Sequence, residues 1–205
     1  MQLLANTTSP YVRIARVAMI EKGLNIEPTI VDPWADDPRL RQANAATRVP
    51  TLITDDGIAL TESLLIVQWL EHARPAPAWP SLFGSDVTGV LSRAGIAFGV
   101  IDAAVHTIII RKVTAPALFD DTPVGLRRRR TMAEGMARLE SAAACGQLSD
   151  AVTGTLTLDA ICAVVALDYL RFRFDGQPWL PAMPQLDTLS ASLRQRASFA
   201  QTLPR

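Results

Sequence analysis

The stretch Val49-Pro50-Thr51-Leu52-Ile53-Thr54-Asp55-Asp56-Gly57-Ile58-Ala59-Leu60-Thr61-Glu62-Ser63 constrains this chain more than any other. It reads as two short strands joined by a tight turn and running straight into a helix. Asp56-Gly57 is the turn signal, because a two-residue hairpin loop of the favoured type needs positive φ, which Asp and Gly tolerate. After Leu60 the periodicity changes, and Leu64, Leu65, Val67, Trp69 and Leu70 form a broad apolar helix face. Pro50 stands at the start of a strand, where a cis bond or a missing donor needs a structural reason. Glu62 and Ser63 stand at the helix entrance, where free backbone N–H groups favour an anion.

The flanking segments supply the rest of a sheet. Gln2 to Ala5 reads as a first strand. Ser9-Pro10 opens a helix, with Ser as N-cap and Pro at the first helical position, where no donor is needed. Ile14, Val17 and Ala18 give that helix its core stripe, and Gly23 stops it. Ile26 to Val31 reads as a second strand near a sheet edge, because Pro28 removes a donor. Pro33 to Ala46 is loop-rich, with a helical turn or two around Pro38 to Ala43. The resulting order, β-α-β-α-β-β-α, is that of a thioredoxin-like domain.

Beyond it the pattern is helical. Ala73 to Pro80, Ala-Arg-Pro-Ala-Pro-Ala-Trp-Pro, is too proline-rich for helix or central strand and reads as a semi-rigid linker. Asp86 to Val113 predicts a long helix. Thr122-Pro123 repeats the cap-plus-proline start of a helix running to about Ala144. Residues 146–154 read as loop or short helix, Thr157 to Phe174 as the most apolar helix of the second half, and Leu186 to Leu193 as the last one. The expected architecture is α/β plus all-α. A thioredoxin-like βαβαββα domain spans 1–74, a linker 75–84, and an all-helical domain 85–205.

Composition narrows the function. Twenty basic and twenty acidic residues give no net charge, so no general attraction to nucleic acid or an anionic membrane is expected. Arg127-Arg128-Arg129-Arg130 points around a whole helix and reads as a solvated face paired with Glu134 or nearby acids. Cys145 and Cys162 have no motif spacing, which leaves a disulfide framework or zinc site unsupported; no metal is expected, and a reducing cytoplasm suits them. The N-terminus lacks the basic start and long apolar region of a signal peptide. The most apolar stretch, Ala94 to Ile110, contains Asp102 and His106 between Arg93 and Arg111, and reads as a buried helix. Asp102 and His106 share a helix face, and a polar contact at an interface explains them better than a catalytic pair.

Val49-Pro50, followed by Glu62-Ser63, resembles the glutathione-binding half of the glutathione transferase family. The resemblance covers nearly the whole chain, since Leu156 to Leu170 looks like the family's buried sixth helix. One departure stands there: the family has Ser/Thr followed three residues later by Asp, whereas here Ala160 takes that place and Asp159 comes one residue early, so the cap must be reorganised.

The resemblance implies a cis Val49-Pro50 bond, with the backbone there pairing with the cysteinyl part of glutathione, and Glu62 and Ser63 holding its γ-glutamyl end. It implies that Ser9, at the first helix's N-terminus, donates a hydrogen bond to the glutathione sulfur. A thiol with a pKa of roughly 8.5 is only slightly ionised at neutral pH, and lowering it by about two units stabilises the thiolate by about 2.7 kcal/mol. The reaction would be attack of that thiolate on a small apolar electrophile, bound against helices in the 86–113 and 157–174 regions of a homodimer. Read as residues alone, Ser9-Pro10 is equally a helix cap, and Thr8 and Asn6 offer neighbouring donors. Arg48 could reach the glycine carboxylate and Trp34 line the cleft, or both are ordinary loop residues. No cysteine lies near this loop, which disfavours thiol exchange through the protein. The alternatives are a non-catalytic interaction module on the same fold and a glutathione-dependent isomerase or dehalogenase.

Overall fold

The computed structural model describes residues 1–115, 118–148 and 155–204. They divide into two compact units, 1–82 together with 194–204, and 83–193. The first boundary falls inside the expected linker. The second is a difference from the expected plan: residues 194–204, read as part of the helical domain, group with the N-terminal unit.

The first unit is built on a four-stranded sheet in the order β2-β1-β3-β4. Strand β1 (Gln2–Ala5) runs parallel to β2 (Thr29–Ile30) and antiparallel to β3 (Thr51–Ile53), which runs antiparallel to β4 (Ala59–Thr61). Strand β2 is shorter than the Ile26–Val31 expected and lies at the edge. Pro28 cannot donate to a ladder, and pairing begins only after it, continuing to the Val31 N–H, which donates to Ala5 O at 2.9 Å. Leu4, Val31 and Leu40 form one buried cluster beneath helix α2 (Pro38–Ala43). Alternation turns Leu3 and Leu52, both fully buried, to the opposite face. Helices α1 (Pro10–Glu21) and α3 (Ser63–Ala73) pack together.

The hairpin loop differs from the two-residue turn expected. Gly57 N–H donates to Thr54 O at 3.1 Å and Thr54 N–H to Ile58 O at 2.9 Å, closing a three-residue loop over 55–57. Only Gly57 has positive φ there (+80°), the arrangement of a type I turn followed by a left-handed residue. Helix α3 also turns differently. Ser63, Ile66, Val67 and Leu70 face inward at helical spacing, so Leu64 and Leu65, expected in the core, are 38% and 55% exposed.

The end of α1 is closed by Gly23 at φ +72°, with Gly23 N–H donating to Ile20 O and Leu24 N–H to Met19 O. A Cβ on Gly23 would stand 2.1 Å from the Trp79 ring, so the proline-rich segment lies tightly on this turn. Fully buried Lys22 pairs with Glu71 at 2.7 Å and donates to Arg74 O at 3.1 Å, while Glu71 accepts from Leu82 N–H at 2.7 Å. These bonds bind residues 74–82 to the first unit. A short helix α8 (Ala197–Ala200), which is not evident from sequence, returns to α1: Arg196 pairs with Glu21 at 2.6 Å.

In the second unit α5 (Pro123–Ala144) and α6 (Leu158–Phe174) both pack on α4 (Val87–Thr114), and α7 (Pro184–Leu193) on α5 and α6. By length and composition α4 could cross a membrane; here Val90, Ala94, Ala97 and Ile101 are buried within the fold. Every residue of α6 from Leu158 to Leu170 is buried. The reorganised cap has a direct explanation. Thr157 makes no side-chain cap bond, and Asp159, fully buried, takes a charge-assisted bond from Arg93 Nε at 2.6 Å and accepts from Ala160 N–H at 3.0 Å. The carboxylate displaced by one position is satisfied from α4. The expected loop or short helix over 146–154 lies, from 149 onward, outside the described residues.

Candidate functional site

Three of the four segments at one end of the sheet carry the residues expected at the site. The register pairs Leu4 with Thr51, and Thr51 with Thr61. Just beyond these positions lie the loop to Ser9, the Val49-Pro50 pair and the Glu62-Ser63 pair. Adjacent strands stand about 4.8 Å apart, so β1 and β4 are separated by about 10 Å across this row.

Ser9 is the N-cap of α1, with φ −75° and ψ 122°. Its Oγ accepts from Val12 N–H at 3.3 Å. A hydroxyl that accepts one bond keeps its own hydrogen for donation, so capping and donation to a ligand are compatible in this residue. Thr8 is differently placed. Its Oγ1 donates to Asn6 Oδ1 at 2.8 Å, and its N–H donates to the same oxygen at 3.0 Å. The Thr8 hydroxyl hydrogen is therefore already committed.

Val49-Pro50 is a cis peptide, as the resemblance implies. Pro50 is buried and Val49 half-buried. Asn44 and Thr51 hold the preceding carbonyl: Asn44 Nδ2 donates to Arg48 O at 3.0 Å, and Thr51 Oγ1 donates to it at 2.9 Å. Asn44 escapes sequence reading, because its partners lie four and seven residues downstream and no local pattern signals them.

Glu62 precedes α3 with φ +64° and ψ 121°, a conformation that an L residue adopts only under constraint. It makes no side-chain cap bond, so the first N–H groups of α3 are not closed off by the residue before them. Ser63 is buried, whereas the Glu62 carboxylate is exposed and stands 3.6 Å from Arg48 Nη1. Arg48 thus faces a protein carboxylate across the mouth of this region.

Of the remaining residues, Trp34 follows β2, whose parallel pairing with β1 brings it to the same end of the sheet. Trp34 is 57% exposed, its backbone N–H held by Asp32 Oδ1 at 2.9 Å. Asp102 and His106 are exposed on α4. In the arginine run, Arg129 donates to the backbone oxygen of a nearby acid, Asp120, at 3.4 Å, and Arg128 lies over the Phe119 ring. Cys145 is exposed and Cys162 buried, both free, and burial pushes the Cys162 thiol well up, with the Asp159 charge adding to it. Among the described residues no group of three or more His, Cys, Asp or Glu gathers as a metal site.

The family profile described as the N-terminal domain of glutathione S-transferase matches residues 3–78. The uncharacterized GST-like protein YibF of Escherichia coli strain K12 is 30% identical over 204 residues, which is 100% of this chain and 98% of that one. The chain belongs to the glutathione S-transferase family. Among solved structures, a glutathione S-transferase from Methylobacterium radiotolerans in complex with glutathione sulfonate superposes with a TM-score of 0.84 at 30% identity, over 99% of this chain and 94% of that one. A glutathione S-transferase from Methylobacillus flagellatus with GSH bound gives 0.85 at 28% identity, over 100% and 99%. The thioredoxin-like sheet and the helical unit described above are the glutathione S-transferase fold.

Proposed function

We propose that this glutathione S-transferase family member binds glutathione along the row after Leu4, before Thr51 and after Thr61, ionises its thiol and directs it at a small apolar electrophile. A fully extended tripeptide reaches at most about 11 Å, close to the width of the row. The γ-glutamyl carboxylate would lie at the open first turn of α3 with Ser63 and Glu62, and the cysteinyl backbone would pair with Val49 beside Pro50. The sulfur would accept the Ser9 hydrogen at the positive end of α1. The observation that carries this reading is the donor account at the first loop: Ser9 retains a hydrogen, while that of Thr8 is taken by Asn6. The nucleophile belongs to glutathione, and the protein supplies its ionisation and aim. A reducing, cytoplasmic setting suits a thiol substrate. A homodimer belongs to the same proposal, supported by Leu64 and Leu65, which α3 turns outward.

The test is an ultraviolet difference titration of bound glutathione from acid to mildly alkaline pH. Thiolate forming near neutrality in the native protein, and only near the free-thiol value in Ser9→Ala, is the expected result. Normal titration of bound glutathione would remove the catalytic assignment. Absence of binding in the millimolar range would favour a non-catalytic interaction module on the same fold.

A further inference from the structure

The geometry points to Asn44 and Thr51 as positioning residues that aim the Val49 backbone N–H at a peptide ligand. This deepens the proposed function and rests on it for the identity of the ligand. Asn44 is 7% exposed and Thr51 fully buried. Asn44 Nδ2 donates to Arg48 O at 3.0 Å and to Thr51 Oγ1 at 3.1 Å, and Thr51 gives its hydroxyl hydrogen to Arg48 O at 2.9 Å. The three groups close a hydrogen-bonded triangle in which Arg48 O accepts from both buried side chains. Asn44 Oδ1 accepts from Ala46 N–H at 2.9 Å, and Asn44 O from Thr47 N–H at 2.8 Å, which holds Thr47 at φ +50°. Both ends of the side chain thus hold the loop leading to Val49.

What the triangle fixes follows from peptide planarity. The cis bonds among the described residues are Val49-Pro50 and Ala76-Pro77, so the Arg48–Val49 peptide is trans. In a planar trans unit the carbonyl and the N–H point in opposite directions. With Arg48 O drawn inward by two buried donors, the Val49 N–H faces away from Asn44 and Thr51. An extended peptide pairing with Val49 as an added strand needs a donor aimed outward and held still, since a loop ordered only on binding loses affinity to that ordering. Asn44 and Thr51 touch neither the ligand nor the sulfur; they act through the Arg48–Val49 peptide.

The experiment compares Asn44→Ala, Thr51→Val, the double variant and Thr51→Ser by calorimetric titration with glutathione and by the amide resonance of Val49. Each single variant leaves one donor on Arg48 O and is expected to weaken glutathione binding about fivefold; the double variant, with none, by more than about thirtyfold. Thr51→Ser keeps the hydroxyl and keeps native affinity. The bound thiol titrates as in the native protein throughout, because Ser9 and α1 are untouched; a merely structural loosening would shift it. Native affinity in the folded double variant, or a thiol returned to its free value there, would overturn the assignment. If the native protein binds no glutathione, the proposed function falls and the ligand-free spectrum still decides the aiming. The Val49 amide is expected to be a single resonance exchanging rapidly with solvent in the native protein, and broadened or shifted in the double variant. An unchanged resonance would overturn the inference.

Discussion

Helices α1 and α3 start from the same end of one sheet, yet their first turns are finished in opposite ways. Ser9 is extended and closes α1 with a side-chain bond to Val12 N–H. Glu62 is held at φ +64° and leaves the start of α3 without such a bond. Asp37, Asp86 and Thr122 each accept a backbone N–H at the starts of α2, α4 and α5. Even α6, whose Thr157 makes no cap bond, has Asp159 accepting from Ala160 N–H in its first turn. The start of α3 stands apart because it combines open donors with a backbone conformation costing about 1–3 kcal/mol. Such a combination persists where the surroundings impose it, and a ligand anion is the partner it suits.

The largest break in this comparison is expected at α1. Ser9→Ala should lower kcat/KM for conjugation of an activated aryl halide by about 100-fold, the kinetic equivalent of about 2.7 kcal/mol. Thr8→Val, whose hydroxyl is spent on Asn6, should lower it by less than about threefold. Equal losses from the two would dissolve the distinction between them. At α3, Ser63→Ala should weaken glutathione binding about tenfold, measured by calorimetry, while leaving the thermal midpoint nearly unchanged.

Glu62→Gly sharpens the contrast in the opposite sense. Glycine adopts positive φ freely, so urea denaturation should show a gain of about 1 kcal/mol while glutathione affinity falls. A loss of stability would mean that the Glu62 side chain, and not the backbone, holds this turn.

The smallest expected effect concerns the far end of α1. Burial pushes the Glu21 carboxyl up, but hydrogen bonds from Arg196 and Ser198 and the Arg196 charge outweigh it and hold the group below its ordinary range. A carboxylate lowered in the folded state stabilises fully above its unfolded pKa and loses that contribution as pH falls through the folded value. Amides of α8 should therefore lose exchange protection below about pH 4, ahead of the sheet, and Glu21→Gln should remove this pH dependence.

Legibility followed the distance between interacting groups. The caps at Ser9 and Thr122, the stop at Gly23 and the turn at Asp56-Gly57 depend on neighbours within a few residues, and all are visible in the sequence. The loop type at the hairpin was not, because it depends on Thr54 Oγ1, which accepts from Ile58 N–H at 3.1 Å and donates to the Asp56 carboxylate. Leu64 and Leu65 read as core because their hydrophobicity is evident, whereas the direction they face depends on which side of α3 meets the sheet. Asn44 gave no signal at all, since an Asn before a loop has many uses and only the folded chain brings Arg48 O to it.

By itself the sequence determined where most of the helices begin, that the first unit is a small sheet with helices, and which residue types stand after β1, before β3 and after β4. These depend on backbone propensity, capping and periodicity, which act over a few residues. Only the tertiary structure decided that Leu4, Thr51 and Thr61 fall in one row, that Asp159 is satisfied by Arg93 from 66 residues away, and that residues 194–204 return to the first unit. Those outcomes rest on hydrogen bonds and ion pairs between distant segments, whose partners have no local signature until register and packing bring them together.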